Sequence, residues 1–327
     1  MKIAIVIINW NGVNLLKKYI QSFIDYCDDS AIYVIDNNSS DESVAFLKHQ
    51  FKQVNIISLK CNYGFAEGYN IGLQKVKEEY ICIINNDIRV TKNWLKPIKK
   101  KFKQNPKSII QPVILDINDT QYYEYAGAAG GFIDKYGYPY CRGRIFDSLE
   151  KNKNRYKDSE IFWASGACLF ISKKEFYRIG GFDKRFFAHM EEIDLCWRAF
   201  NLGYKCYSVT DSFIFHEGAA TIRKNSKKTY LNYRNSLIML TKNLPINNLI
   251  SVVSIRLVMD IISSFRYILH GRVSHFLSIY KAHLDYYIML KRLLKDRNNN
   301  INKSNYFKIN SIVYNYFILG KKKFFHL

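Results

Sequence analysis

No two of the seven cysteines stand at CxxC spacing; Cys27, Cys61, Cys82, Cys141, Cys168, Cys196 and Cys206 are scattered along the 327 residues. That scatter argues against a zinc finger or a dithiol redox motif. Several of the cysteines fall inside apolar runs, where the residue behaves as a small hydrophobe, and the set fits a reducing compartment. Acids are scarce too: 28 Asp plus Glu face 49 Lys plus Arg, a formal net charge of +21. Such a surplus attracts nucleic acid, anionic lipid or phosphorylated substrates. A chain rich in Ile, Asn, Lys and Tyr also acquires it from AT-rich coding, without selection for binding. No basic-aromatic recognition module accompanies the charge, so no specific nucleic-acid partner is expected. There is neither a Walker loop nor a GxGxxG fingerprint. After the first apolar run, Asn9–Asn14 offers one glycine and no Lys or Arg, unlike the phosphate loop of a nucleotidyltransferase. The opening run, Ile3–Ile8, is too short for a signal-peptide core and has no small-residue cleavage site. A cytoplasmic location is the expectation.

What is present is alternation. Ile3–Ile8 has the length and unbroken apolarity of a parallel strand buried on both faces. Val13–Tyr26 then carries helical spacing through Leu15, Leu16, Tyr19, Ile20 and Phe23. The pattern repeats as strand Ala31–Ile35, helix Asp41–Gln50 with Ser40 or Asp41 near its N-cap, strand Val54–Leu59, helix Ala66–Lys77 and strand Tyr80–Ile84. This predicts an α/β fold with a mostly parallel sheet flanked by helices. Ligands of such sheets bind at the carboxyl ends of the strands, where Asn9–Asn11, Asp36–Asp41 and Asn85–Asp87 lie. Beyond this, Gln121–Tyr140 reads as loops and short antiparallel strands, and Glu191–Leu202 as a helix stopped at Gly203. Lys205–Val209 and Phe213–Phe215 read as two short strands. Near Asn243 the character changes. Leu249–Leu269 is apolar except for Arg256, Asp260 and Arg266, with Arg256, Asp260, Ser263 and Ser264 on one side of the helical wheel. Those interruptions favour a helix lying in a membrane interface or packed on the preceding domain over one that spans. The basic residues that follow, to Lys321-Lys322-Lys323, favour an anionic membrane surface over a solvated tail behind ordinary core helices. Residues 297–305 read as a loose Asn-rich linker.

The polar clusters carry the candidate chemistry. Asp36 ends a strand and can accept hydrogen bonds from a nucleobase or ribose, or simply close an Asx-turn. Asn62–Asn70 sets Gly64 and Gly68 around a helix start, where backbone approaches a ligand closely and the helix N-terminus favours an anion. Asp87, with the amide of Asn85, could ligate a divalent ion that neutralises a diphosphate. Glu191-Glu192-Ile193-Asp194 opens a helix whose Asp194 and Arg198 are i,i+4 partners. A carboxylate among apolar walls there can act as a general base; acids at a helix N-terminus also complement its dipole. His216 gains interest only if Asp87 lies nearby.

Taken in order, these residues resemble the family-2 glycosyltransferases, particularly the bacterial rhamnosyltransferase-like branch. The resemblance runs from Ile5 to about Thr221 through the Val6–Gly12 opening, Asp36–Asp41, Asn62–Asn70, Asn85–Asp87, Trp163–Ala167, Gly180–Asp183, Glu191–Arg198 and His216. It implies a GT-A (Rossmann-like) fold over residues 1–242, with a nucleotide-sugar half to about 115 and an acceptor half after it. Residues 243–327 would be a helical, basic, membrane-associating extension. It implies an inverting transferase moving a sugar, first guess rhamnose on deoxythymidine diphosphate, to a lipid-linked glycan of a surface polysaccharide. The enzyme would sit peripherally on the inner face of a bacterial plasma membrane. By resemblance, Asn9, Asp36, Asn37, Gly64, Asn70 and Asn86 serve the nucleotide. Trp163, Gly166, Ala167 and Arg198 border the sugar and acceptor. Asp87, Asn85 and His216 hold Mg2+ or Mn2+. Glu192 is the base, with Glu191 and Asp194 as rivals. Two departures stand out: Asn85 replaces an acid of the metal motif, and Glu192 replaces the commoner Asp of the catalytic motif.

Overall fold

The computed structural model describes residues 1–27, 29–218, 225–297 and 302–327. The end of the motif series, near Thr221, and the middle of the 297–305 linker lie outside the described residues.

The first half is the expected alternation: β1 (Ile3–Asn9), α1 (Val13–Tyr26), β2 (Ala31–Asp36), α2 (Ser43–Gln50), β3 (Asn55–Ser58), α3 (Gly64–Gly72) and β4 (Tyr80–Asn85), then β5 (Ile88–Val90), α4 (Leu95–Gln104) and β6 (Ser108–Asp116). β1 pairs in parallel with both β2 and β4, and β2 with β3. The unbroken apolar runs follow from burial on both faces. Ala4 and Val6 of β1 enter one core while Ile3, Ile5 and Ile7 enter the other; β4 divides likewise, Ile81 and Ile83 against Cys82 and Ile84. Full burial of such a side chain is worth ~1.5–3 kcal/mol.

The second half departs from a simple parallel sheet. β7 (Gly131–Ile133), β8 (Pro139–Cys141), β9 (Arg144–Ile145) and β10 (Ser148–Leu149) build a small separate sheet. They are followed by β11 (Ser159–Ile161), β12 (Cys168–Ser172), α5 (Lys173–Arg178), α6 (Glu191–Asn201) and β13 (Lys205–His216). β12 inserts antiparallel between β4 and β6, and β13 pairs with β6, β5 and β11. The large sheet therefore runs β11-β13-β6-β12-β4-β1-β2-β3, with β5 on the flank of β13. Lys205–Val209 and Phe213–Phe215, expected as two strands, are one strand whose register shifts between Val209 and Phe213. The result is a mixed α/β fold, parallel from β4 through β3, with helices on both faces.

Among the described residues the chain closes with α7 (Ser226–Asn243), α8 (Ile246–Leu269), α9 (Val273–Lys295) and α10 (Ile312–Phe317). Leu249, Val252, Tyr286, Leu293, Tyr306 and Ile312 join the same core as Ala4 and Val6, so these helices extend the central core rather than form a second one.

A buried charge network fixes α6 in this framework. Asp194 is fully buried. Its Oδ2 accepts from Arg198 Nε at 2.8 Å and Lys242 Nζ at 2.9 Å, and its Oδ1 from Asn243 Nδ2 at 2.8 Å. Lys242 Nζ also reaches Asp183 Oδ2 at 2.6 Å, and Arg198 donates to the carbonyls of Ile179 and Gly181. One helix is thereby tied to the Gly180–Gly181 turn and to α7. Burial pushes the Asp194 carboxyl up, but Lys242 and Arg198 outweigh it and hold the group below its ordinary value. A depressed carboxylate stabilises the fold above its unfolded pKa of about 4 and loses that contribution only as pH falls through the lower folded value. Removing one partner of a buried pair leaves the others uncompensated. Asp194→Asn should therefore destabilise the protein by about 3 kcal/mol at neutral pH, read as a shift of the urea midpoint. An unchanged midpoint would mean that the network does not hold α6.

Candidate active site

The parallel pairing carries three polar strand ends to neighbouring positions: Asn9 is in register with Asp36 on β2, and Ile8 with Asn85 on β4. Asn86 Nδ2 donates to Asn9 Oδ1 at 2.8 Å, and Asn9 Nδ2 reaches Ser39 Oγ at 3.3 Å. Gly12 is required beside this amide pair, because a β-carbon there would fall 2.4 Å from Asn9 Oδ1 and 2.5 Å from Asn86 Nδ2. Asp41 braces the rim: its two oxygens accept from the backbone N–H groups of Val13 and Ser43, the starts of α1 and α2. Asp36 is buried. Its Oδ2 accepts from Ser39 N at 3.2 Å, while its Oδ1 has no hydrogen-bond partner. A buried carboxylate oxygen left open at a strand end is an acceptor in want of an N–H or O–H donor.

Asp87 and His216, far apart in sequence, meet because β5 and β13 pair antiparallel with Ile88 opposite His216. His216 Nε2 lies 3.0 Å from Asp87 Oδ1, and its Nδ1 3.0 Å from Glu124 Oε2. Burial pulls the imidazole pKa down, but the two carboxylates outweigh it and raise the value to about 10. Glu124 is a residue that sequence reasoning missed, since Gln121–Tyr140 carried no signal beyond loops. Its other contact is to Ala126 N. The approaches are ion-pair distances without hydrogen-bond alignment, which leaves Asp87 Oδ1 and both ring nitrogens buried and unsatisfied. Among the described residues no three His, Cys, Asp or Glu side chains converge on one metal position. One carboxylate and one imidazole would suit a divalent ion that displaces the imidazole proton and draws its other ligands from substrate phosphates and water.

On the other side of the β4 end, the segment Ser165–Ala167 connects the strand to α6. Asn85 N donates to the carbonyl of Ala167 at 3.0 Å, and a β-carbon at Gly166 would lie 3.6 Å from Glu192 Cδ and from Phe65 Cζ. Glu192 thus faces Gly166 from the first turn of α6. Its Oε2 is buried without a partner, as is that of Glu191. Burial pushes both carboxyls up from the ordinary glutamate value, Glu191 further because the Glu192 charge adds to it. Asp194 differs: both of its oxygens are engaged in the buried network and its pKa is depressed, which leaves the two glutamates as the candidates for a base.

The start of α6 is held by a strained strap. Phe187, His189 and Met190 all adopt positive φ, at 61°, 69° and 72°. Asn235 of α7, fully buried, donates to the carbonyls of Phe186, Ala188 and His189 at 3.0, 2.9 and 2.7 Å. The strap also reaches α3. Phe65 N and Ala66 N donate to the carbonyl of Phe187, and the Phe187 ring occupies the space that a side chain on Gly64, at φ 74°, would need. The N-terminus of α3 is therefore occupied by a protein carbonyl and not open to an anion, contrary to the expectation for Gly64.

Several other expected residues are engaged inside the protein. Asn37 Nδ2 donates to Asn62 Oδ1 and Gly64 O, and its Oδ1 accepts from Tyr63 N, so it shapes the loop before α3. Asn70 closes a two-way bridge with the backbone of Phe182 at 2.7 and 3.0 Å. Arg198 is folded under the Gly180–Gly181 turn, as described above. Trp163, expected beside the sugar, is buried and donates its indole N–H to Phe132 O at 2.9 Å. In each case the polar atom satisfies a buried backbone group, which costs less than leaving that group unpaired.

Comparison with known proteins accords with this geometry. The family model described as "Glycosyl transferase family 2" matches residues 4–180. Among curated proteins, the chain is similar to the low-salt glycan biosynthesis hexosyltransferase Agl10 of Haloferax volcanii, 25% identical over 244 residues, or 72% of this chain and 74% of that protein. It is similar also to the N-acetylglucosaminyl-diphospho-decaprenol L-rhamnosyltransferase of Mycobacterium tuberculosis, 20% identical over 62% of this chain and 73% of that one. The solved structure of GalNAc-T7 with UDP, GalNAc and Mn2+ shares the fold with a TM-score of 0.59 and 18% identity, over 73% of this chain and 47% of that one, about half its length. The match over more than half of the sequence, on a GT-A-like fold with its polar clusters at the strand ends, makes this chain a member of glycosyltransferase family 2.

Proposed function

We propose that this glycosyltransferase moves a sugar from a nucleoside-diphosphate donor to a hydroxyl of a lipid-linked glycan, in surface polysaccharide biosynthesis, by a single displacement with inversion. The observation that carries the reading is the join at the β4 end: Asn85 bonded to Ala167, and Gly166 facing Glu192. In this reading the diphosphate would lie on one side of this short segment and Glu192, whose Oε2 has no partner, on the other.

In this reading the nucleoside lies over β1 and β2, where the open Oδ1 of Asp36 accepts from base or ribose. Asn9 and Asn86 shape the floor beneath it. Ser165–Ala167 borders the sugar. Glu192 takes the proton of the acceptor hydroxyl, whose oxygen forms a bond to the anomeric carbon as the bond to the diphosphate oxygen breaks. In this reading Glu192 acts only as a base, and direct displacement by the acceptor oxygen inverts the anomeric carbon. Asp87 and His216, with Asn85 beside them, would hold a Mg2+ or Mn2+ ion that neutralises the departing diphosphate. Glu124 orients the imidazole from its far side. The Mn2+ that accompanies UDP in the GalNAc-T7 structure supports a divalent ion here.

The first donor is rhamnose on deoxythymidine diphosphate, supported by the mycobacterial rhamnosyltransferase, whose name also supports a polyprenyl-diphosphate acceptor. A hexose donor is the second reading, favoured by the Haloferax hexosyltransferase. Residues 1–242 would carry the transfer, and 243–327 would bring the enzyme peripherally to the cytoplasmic face of the membrane where a lipid-linked acceptor resides.

A positioned base contributes roughly 100- to 10,000-fold in rate. Glu192→Gln should lower kcat by at least about 100-fold while leaving donor affinity nearly unchanged, measured by product formation and by titration of donor. A fully active variant would remove Glu192 from the mechanism. The base must be ionised to act, and burial raises the Glu192 pKa. The acid limb of the kcat–pH profile should therefore lie above the ordinary glutamate value of about 4.3. A limb at or below that value would assign the proton transfer to a solvated group.

A further inference from the structure

Helix α8 turns an ion pair inward and a broad row of aliphatic side chains outward. Arg256, Asp260 and Ser264 face the protein beside Leu249, Val252 and Val253, which join the central core. Arg256 and Asp260 are 4% and 0% exposed, whereas Ile250, Ile262 and Leu269 are 81%, 65% and 84% exposed. The inward pair is well made: Arg256 Nε donates to Asp260 Oδ1 at 2.9 Å, its guanidinium lies 3.8 Å from the centre of the Tyr138 ring, and His283 of α9 stands 3.4 Å from Asp260 Oδ2. Ser263 bonds to Tyr233 of α7. A helix at a water boundary turns its apolar stripe to the core and its charges to solvent; here an ion pair is turned inward while Ile250, Val258, Ile262 and Leu269 stand outward. α9 continues the outward apolar face with Val273, Leu277 and Ile288, the last 80% exposed. Two long helices that pack on each other and both expose aliphatic side chains leave far more apolar surface to water than singly scattered residues do.

We propose that the outward face of the α8–α9 hairpin seats on an anionic lipid bilayer, lying in the interface and not crossing it. This deepens the reading above, in which the acceptor is carried on a lipid. α8 is long and apolar enough to cross a bilayer by length and composition. Crossing would carry the Arg256–Asp260 pair through hydrocarbon and strip it from Tyr138, α7 and α9, whereas lying flat keeps that pair inside the protein and immerses only the aliphatic face. Charge selects the occupant. From Ile246 to the C-terminus there are 13 Lys plus Arg and three Asp. Asp260 is buried in its ion pair, Asp285 accepts from Tyr230, and Asp296 pairs with Arg185. Arg266, Arg272, Lys281, Lys291 and Arg292 are exposed along the hairpin and its turn. A second copy of the chain would bring these cations against one another, while anionic headgroups neutralise them.

The test is co-sedimentation of the purified full chain with vesicles of phosphatidylcholine alone and of phosphatidylcholine containing phosphatidylglycerol. The protein should bind the anionic vesicles and bind the neutral ones at least about tenfold more weakly. The double variant Ile262→Glu, Leu269→Glu changes exposed side chains only. It should lose anionic-vesicle binding while keeping its circular dichroism and its donor affinity, and Arg272→Glu should weaken binding in part. Absence of binding to anionic vesicles, or unchanged binding by the double variant, would overturn the proposal. So would a concentration-dependent dimer, disrupted by the double variant, in a protein that ignores vesicles. Vesicle binding needs no donor and no catalysis, so a chain that binds vesicles without transferring sugar would count against the function proposed above and not against this surface.

Discussion

Asp194 is a carboxylate with no access to water, and the seating of α6 against α7 depends on keeping it charged. Arg198, Lys242 and Asn243 converge on it from two helices. A charge buried this deeply survives only when all of its lone pairs are met and a counter-charge is near. Because the network also reaches Asp183 and the carbonyls of Ile179 and Gly181, it sets α6, α7 and the Gly180 turn as one rigid unit. With Asp194 spent on structure, Glu191 and Glu192 remain one turn away with unpaired oxygens. Neighbouring acids in one sequence motif thus have opposite environments: one saturated and pulled down, two desolvated and pushed up.

The same division of labour recurs at the strand ends. Asn37 and Asn70 hold backbone in place, as Asn235 does from α7, whereas Asp36 keeps an unpartnered oxygen and Asp87 and His216 approach each other at 3.0 Å without hydrogen-bond alignment. The strap of residues 186–190 links these groups. Its Phe187 carbonyl caps α3, its positive-φ residues lead into α6, and Asn235 clamps it from behind. Backbone held in sparsely populated conformations persists only where the surroundings over-determine it, and here α3, α6 and α7 together do so.

The βα alternation of the first 90 residues was legible because β1 and β4 are nearly unbroken apolar runs buried on both faces and α1 shows a clear helical period, while the short edge strand β3 offered only Ile56 and Ile57. The antiparallel strand Cys168–Ser172 between β4 and β6 was not, because an apolar run of that length has no mark of direction or neighbour. The contact between Asp87 and His216 could be posed as a condition from sequence but not established, since it arises from strand pairing across the chain. Glu124, Lys242 and Asn235 had no local signal at all: their importance comes from partners distant in sequence. The polar side of α8 was visible on a helical wheel, yet only packing revealed that this side turns inward.

The central claim is that the strand-end cluster binds the diphosphate of a donor with help from a cation at Asp87 and His216. The most direct measurement is a calorimetric titration of the purified protein with UDP, GDP and deoxythymidine diphosphate, with and without Mn2+, beside Asp87→Ala. The account predicts that one nucleotide binds in a Mn2+-dependent manner and that the dependence disappears in the variant. Binding of no nucleotide in the presence of Mn2+, or equal Mn2+-dependent binding by Asp87→Ala, would contradict it.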